Sequence, residues 1–450
     1  MSARSTTLPS IVTRTLRAAL LVIVGAGVAL GFSTGAAHAD TVHGPYTLTT
    51  SQCATCHRAH TGQGPMLLDT TGSAALKSPT TTLCLTCHNG TGARPDLVTE
   101  YATATPNDEA TRSYFQHEVT TVTNHTLATS EEFLGVLNRH SECTDCHNPH
   151  SAGAANSVSS PVGQPWTASQ RILGTSGVQV TNGATRTYTF LNGTTASMTA
   201  EYQLCLKCHS GYTKLLPDIP GQPSKNMTDV AAEFDPANTS FHPVEAAGRN
   251  TTPAMAASLA GTSQFKLWTF TTASTVRCTS CHSSDIAAPA TSGVTAGSAL
   301  APHTSAYRGL LVQKYEDRVL NAANASFSEA NFALCFLCHT DSPFISGSTT
   351  ATNFSEHRKH VAGISGQGSI TGTIDTPGAG QGNALCAECH FRPHSTSTDP
   401  AQETGLVSFA PNVLGNGGTA TPTWTSTTPG RGSCTLTCHG HRHSNESYVP

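Results

Sequence analysis

Sixteen cysteines fall into eight pairs, and a histidine follows the second cysteine of every pair. Seven pairs have the form Cys-x-x-Cys-His: Cys53, Cys56 and His57; Cys84, Cys87 and His88; Cys143, Cys146 and His147; Cys205, Cys208 and His209; Cys278, Cys281 and His282; Cys335, Cys338 and His339; Cys386, Cys389 and His390. The eighth, Cys434, Cys438 and His439, has one more residue between its cysteines. Disulfides, zinc sites and covalent haem all use paired cysteines. Disulfides need no histidine, and zinc gives no reason for one directly after the second sulfur every time. Haem c requires it: the two thiols add to the vinyl groups of one macrocycle, and the adjacent imidazole ligates the iron from the same side. The pattern reads as eight covalently attached haem c groups, the longer eighth spacing being absorbed by a flexible loop.

Each iron has a second axial position. With the eight motif histidines and His38 set aside, thirteen histidines remain from a total of 22, more than eight irons need. Methionine is the other common axial ligand, but beyond the first forty residues only Met66, Met198, Met227 and Met255 exist. Bis-histidine ligation is therefore expected, with reduction potentials low relative to Met/His sites. His60, His150 and His394 follow a motif by three or four residues. At a reach of about 3.3–3.6 Å per residue they are better placed for a neighbouring haem than for the far face of their own.

The motifs alternate between two contexts. Leu83-Cys84-Leu85-Thr86-Cys87-His88, Leu204-Cys205-Leu206-Lys207-Cys208-His209 and Leu334-Cys335-Phe336-Leu337-Cys338-His339 look alike and occupy every second place. This internal repeat resembles the doubled Cys-x-x-Cys-His family of multihaem c-type cytochromes over about a third of the chain. Within the resemblance, His43-Gly44-Pro45-Tyr46 and Phe241-His242-Pro243-Val244 look like histidines leading a pair. It implies that in each pair a leading histidine serves the first haem and a trailing histidine the second: His43 and His60, His125 and His150, His242 and His303, His360 and His394. His140 competes with His125 and His357 with His360, while His117, His441 and His443 stand in reserve. Four dihaem units follow, at 40–112, 113–230, 231–350 and 351–450.

The elements that must position these groups are slight. Few residues are available per haem, aromatic content is 6%, and 39 glycines with 25 prolines favour turns. The expected fold is a multihaem cytochrome c of loops and short helices wrapped around haems, with a few short β-hairpins and little regular secondary structure. Tyr307, Leu311, Tyr315 and Val319 predict a helix over 305–322. Val178 and Val180, Asn182-Gly183, then Tyr188 and Phe190 predict a hairpin. Residues 265–270 read as a further strand and 405–431 as an insertion or linker between the last two haems.

At the N-terminus Arg14 and Arg17 precede an apolar run from Ala18 to Leu30, and Ala37-His38-Ala39 offers a cleavage site before Asp40. Residues 1–39 read as a Sec-type signal peptide, the run being shorter than the roughly 18–20 residues of a membrane span. Losing Arg4, Arg14 and Arg17 with it leaves 21 basic residues against 28 acidic ones, a balance that disfavours nucleic acid as a partner. No later segment is apolar enough to span a bilayer. The expectation is a periplasmic or extracellular electron-transfer protein rather than an enzyme, exchanging electrons with other redox proteins or extracellular acceptors. Some cytochromes of this kind polymerise into extracellular filaments, a form this expectation includes. The competing class is an octahaem enzyme acting on nitrite, hydroxylamine or tetrathionate, which needs one iron open to substrate; here every motif ends in histidine. The denatured mature protein should carry the mass of eight haems, with all sixteen cysteines unreactive to thiol reagents. Seven haems with Cys434 and Cys438 free or disulfide-linked would show the longer motif unused, and substantially fewer would sink the haem reading.

Overall fold

A chain that is 12% charged and rich in glycine and proline offers few stretches long enough to sustain a helical stripe, and its helices are accordingly short. The computed structural model describes residues 43, 53–60, 67, 79–91, 96–103, 115–117, 119, 141–153, 158–213, 229–284, 300–315, 326–345, 352–364, 367–369, 373–374, 376, 378–395, 405–418, 421–428 and 431–448. The proposed signal peptide, His125 and His140 lie outside them. Among the described residues, no helix is long and apolar enough to cross a membrane.

The recurring unit is one helical turn. In seven motifs the amide of the histidine donates to the carbonyl of the first cysteine, over 2.8 Å for His57 to Cys53, 2.9 Å for His209 to Cys205 and 3.0 Å for His339 to Cys335, and likewise for His88, His147, His282 and His390. This is the i to i−4 bond of an α-helix. It turns both sulfurs and the imidazole toward one side of a short loop.

The alternation of motifs has a structural cause. At Cys143–Cys146, Cys278–Cys281 and Cys386–Cys389 the turn stands alone, entered from extended residues Glu142, Arg277 and Leu385. The residue before the second cysteine caps it: Asp145, Ser280 and Glu388 accept from the amides of Glu142, Arg277 and Leu385 at 2.7, 3.2 and 2.9 Å. Cys84 lies instead within the helix Pro79–Cys87, and Cys205 and Cys335 within Tyr202–Leu206 and Ala333–Phe336. There an upstream helical residue does the nucleating.

The sheets are small and antiparallel. Strand β1 (Phe115–Gln116) pairs with β4 (Thr304–Ser305), β2 (Gly177–Thr181) with β3 (Thr187–Leu191), and β5 (Gly363–Ile364) with β6 (Gln367–Ser369); β7 (Thr423–Thr428), β8 (Arg431–Cys438) and β9 (His441–Tyr448) form a three-stranded sheet. The β2–β3 hairpin is where the alternation of Val178 and Val180 places it, and both valines are buried against Tyr202, Leu206, Ala231 and Phe234. It thereby steadies the helix that carries Cys205. Two further clusters, one around Phe332, Phe336, Ile374 and Leu385 and one around Trp268, Phe270, Val312 and Leu337, abut Cys335, Cys386 and Cys338. Apolar side chains thus collect behind the cysteines.

Three expectations about elements are corrected. The described part of 305–322 is no helix: Ser305 ends β4, and Gly309 and Leu310 adopt φ of 71° and 55°, a left-handed step that breaks any helical stripe. The amides of Ser283 and Val312 instead donate to the carbonyls of Leu310 and Cys281, so the segment covers the fifth motif. Residues 265–270 form no strand, because the amides of Leu267 and Trp268 both donate to the Leu337 carbonyl while Trp268 fills the core. Of the insertion or linker expected over 405–431, the described residues are a packed insertion rather than a linker. Ser408 accepts from Phe391 and donates to Cys389, and Ala410 donates to Glu388, so the segment satisfies the backbone of the seventh motif before becoming β7.

Beside the β2–β3 hairpin, Glu245 accepts from Asn182 through one oxygen, while its other oxygen is buried and finds no partner among the described residues. Burial pushes its carboxyl up to about 7. The folded state then binds the proton more tightly than the unfolded chain, so this side chain favours folding at acid pH and loses that contribution as pH rises from about 4.5 to 7. Glu245→Gln should stabilise the protein at pH 8 by about 1–2 kcal/mol and leave it unchanged near pH 4, as denaturant titration would measure. Destabilisation at pH 8 would contradict this.

Candidate haem-binding site

The histidines carry the geometry. A backbone carbonyl can only accept, so a ring nitrogen held on one is protonated, and the other nitrogen has the lone pair. Nδ1 donates to the carbonyl of Pro302 from His117 (2.8 Å), of Arg171 from His147 (2.9 Å), of Gly309 from His282 (2.6 Å), of Leu406 from His390 (3.0 Å), and of Pro393 from His242. His394 donates Nδ1 to the Glu233 carboxylate at 2.7 Å, and the Nδ1 atoms of His339 and His357 lie 3.1 and 2.8 Å from the hydroxyls of Ser258 and Thr352. In each ring Nε2 remains for a metal, the usual arrangement around a ligating imidazole. Burial also favours the neutral ring: it pushes His147 and His282 down to about 4 and His339 and His357 down to about 3, and lowers His117, His242 and His390.

Six motif histidines each face one histidine from outside the motifs. The ring centres are 6.0 Å apart for His57 and His150, 5.9 Å for His88 and His43, 6.2 Å for His147 and His303, 6.2 Å for His209 and His117, 6.0 Å for His282 and His394, and 6.4 Å for His390 and His357. A metal ion lies about 2.0–2.1 Å from an imidazole nitrogen, itself about 1.1 Å from its ring centre, so two rings on one ion stand about 6.3 Å apart. Ordinary aromatic pairs also occur at such distances. The one-to-one matching of motif with non-motif rings is what aromatic packing would not produce. His339 lies near enough to His242 for their charges to interact.

This pairing departs from the expected one. His150 faces the first motif rather than His209, His303 faces His147, and His394 faces His282: each trailing histidine reaches back to the preceding pair. His43 and His117 meet the second motif of their own pair, at His88 and His209. His60 is exposed, and His360 lies 6.2 Å from His443. His117, held in reserve on sequence grounds, and His357, the competitor of His360, occupy facing positions. The stretch 151–241, whose only histidine is His209, is supplied from outside by His117.

The sulfurs run in sequence order. Thiols of Cys84 and Cys143, of Cys205 and Cys278, and of Cys335 and Cys386 lie close enough to influence one another. Cys56 interacts with Cys87, Cys146 with Cys208, Cys281 with Cys338 and Cys389 with Cys434. Every motif therefore adjoins the next. At seven motifs the helical turn and the paired thiols suit haem c, and at His147, His282, His339 and His390 the imidazole is held by a hydrogen bond as well.

Residues 43–93 match the family model for the doubled CXXCH motif. The match is consistent with a multihaem c-type cytochrome, and the CXXCH motifs indicate covalently bound haem c. No curated protein and no solved structure matches the chain.

His150→Ala in the haem-loaded protein should convert one iron to high-spin, counted by magnetic circular dichroism. Removing the first haem through Cys53→Ala and Cys56→Ala should abolish that signal, and removing the fourth through Cys205→Ala and Cys208→Ala should not. The reverse outcome would restore pairing within the repeat unit.

Proposed function

We propose that this chain is an exported electron carrier in which haem c groups at successive motifs form one continuous chain. Haem c supplies reversible one-electron exchange without making or breaking substrate bonds. The protein's part is to hold each group through two thioethers and two imidazoles, fix its neighbours and keep water away. The observation that carries the reading is the matching of motif and non-motif histidines, which leaves the facing position of each of those six motifs to a protein ring. The carbonyls on Nδ1 orient the rings, the buried surroundings keep them neutral, and the contact of every motif with the next supports a path in sequence order.

Periplasmic donors and either periplasmic or extracellular acceptors are the proposed partners, consistent with the acidic balance and with export by the N-terminal segment. Assembly of this chain into a filament is one form the carrier could take. A catalyst for nitrite, hydroxylamine or tetrathionate would instead need one iron with an exchangeable position. The ferric protein should be entirely low-spin, and the reduced protein should ignore carbon monoxide at neutral pH. One stoichiometric carbon monoxide site, together with turnover of one of those substrates, would overturn the carrier reading.

A further inference from the structure

We propose that a cavity beside the sixth motif binds a small, flat aromatic cation that exchanges single electrons with the haem held at Cys335 and Cys338. This deepens the carrier reading above and rests on it. The cavity measures about 530 Å³ and opens to solvent, a size ordinary for a small-molecule site. Residues 264–265, residues 327–330 and Asp341 line it. The amides of Leu267 and Trp268 hold the first of these stretches on the Leu337 carbonyl, inside the sixth motif. The side-chain amide of Gln264 donates to the Glu329 carboxylate and so ties the first stretch to the second. Asp341 is fixed by the amides of Phe344 and Ile345 on its carbonyl.

The lining selects the ligand. Phe265 and Phe327 present two half-buried aromatic rings, and Glu329 and Asp341 present two half-buried carboxylates. Among the described residues that line the cavity none is cationic. An aromatic face and a carboxylate both attract positive charge. A hydrated inorganic cation would use the carboxylates and gain nothing from the rings, whereas a neutral aromatic would use the rings and leave the carboxylates unmatched. A flat anion would be repelled. The class that uses both features is an aromatic cation.

The cavity is also connected to the motif by packed rings. Phe327 lies 5.5 Å from Phe332, and Phe332 lies 5.8 Å from Phe336, between ring centres. Phe336 stands between Cys335 and Cys338 in sequence, and Phe265 packs on the same cluster, which abuts Cys335. One electron passes from the reduced form of the bound cation to the ferric iron of this motif, leaving the iron ferrous and the cation oxidised. No bond is made or broken and no proton moves. Electrons then join the array at its sixth motif rather than at either end of the sequence.

The test uses the full-length, haem-loaded protein, with methyl viologen, a bipyridinium dication, and anthraquinone disulfonate, a flat dianion, as probes. Calorimetry of the ferric protein should show one methyl viologen bound per chain, and the double variant Glu329→Gln, Asp341→Asn should bind it about tenfold more weakly. In rapid mixing, reduced methyl viologen below its Kd should feed electrons to that variant more slowly by a similar factor. Reduced anthraquinone disulfonate should reduce parent and variant alike. Equal affinity of parent and variant for methyl viologen, binding of the disulfonate in the same cavity, or a loss of rate shared by both probes would overturn the assignment. A parent without covalent haem would instead refute the carrier reading itself, a result visible before any probe is added.

Discussion

An imidazole has two nitrogens, and fixing one decides what the other can do. In this chain that constraint organises the rest. The carbonyls of Pro302, Arg171, Gly309, Leu406 and Pro393 each hold one Nδ1, and most of them belong to irregular segments that composition alone would dismiss as connectors. Those segments have to be where they are because a loop carbonyl has no ladder to join and can be aimed at a ring. The scarcity of regular structure and the abundance of oriented histidines are thus one property.

The same economy governs packing. Apolar side chains gather in separate clusters behind the cysteines rather than in one continuous core, and the clusters at Leu206, Phe336 and Leu337 each touch a residue next to a sulfur. Most thiols are partly buried, and burial pushes Cys146 and Cys281 up to about 12. A thiol so protonated is a poor nucleophile.

Much of the site was legible in the order of residues, because two thiols and a histidine at fixed spacing form a local object. The hairpin from Gly177 to Leu191 was legible for the same reason, since its alternation is contiguous, although the strands close through the five residues 182–186 rather than through a two-residue Asn182-Gly183 turn. What could not be read were long-range partners. Nothing local to His150 distinguishes His57 from His209, and nothing local to His117 shows that it meets a motif more than ninety residues away. The false helix at 305–322 came from a spacing of four that Gly309 and Leu310 interrupt. A usable signal was overlooked in the residue before the second cysteine: Asp145, Ser280 and Glu388 are capping residues, and they mark the turns that stand alone. A second was the His439-Gly440 step, which reads as a hairpin turn rather than as the end of a helix.

The backward reach of His150, His303 and His394 makes the repeats overlap like roof tiles, each pinned by the next one laid. A chain built this way can lengthen by whole units without redesign, since every added unit brings the ring that its predecessor's first motif requires. At His390 the facing ring comes instead from His357, within the same stretch of chain, so there the overlap gives way to a local pairing.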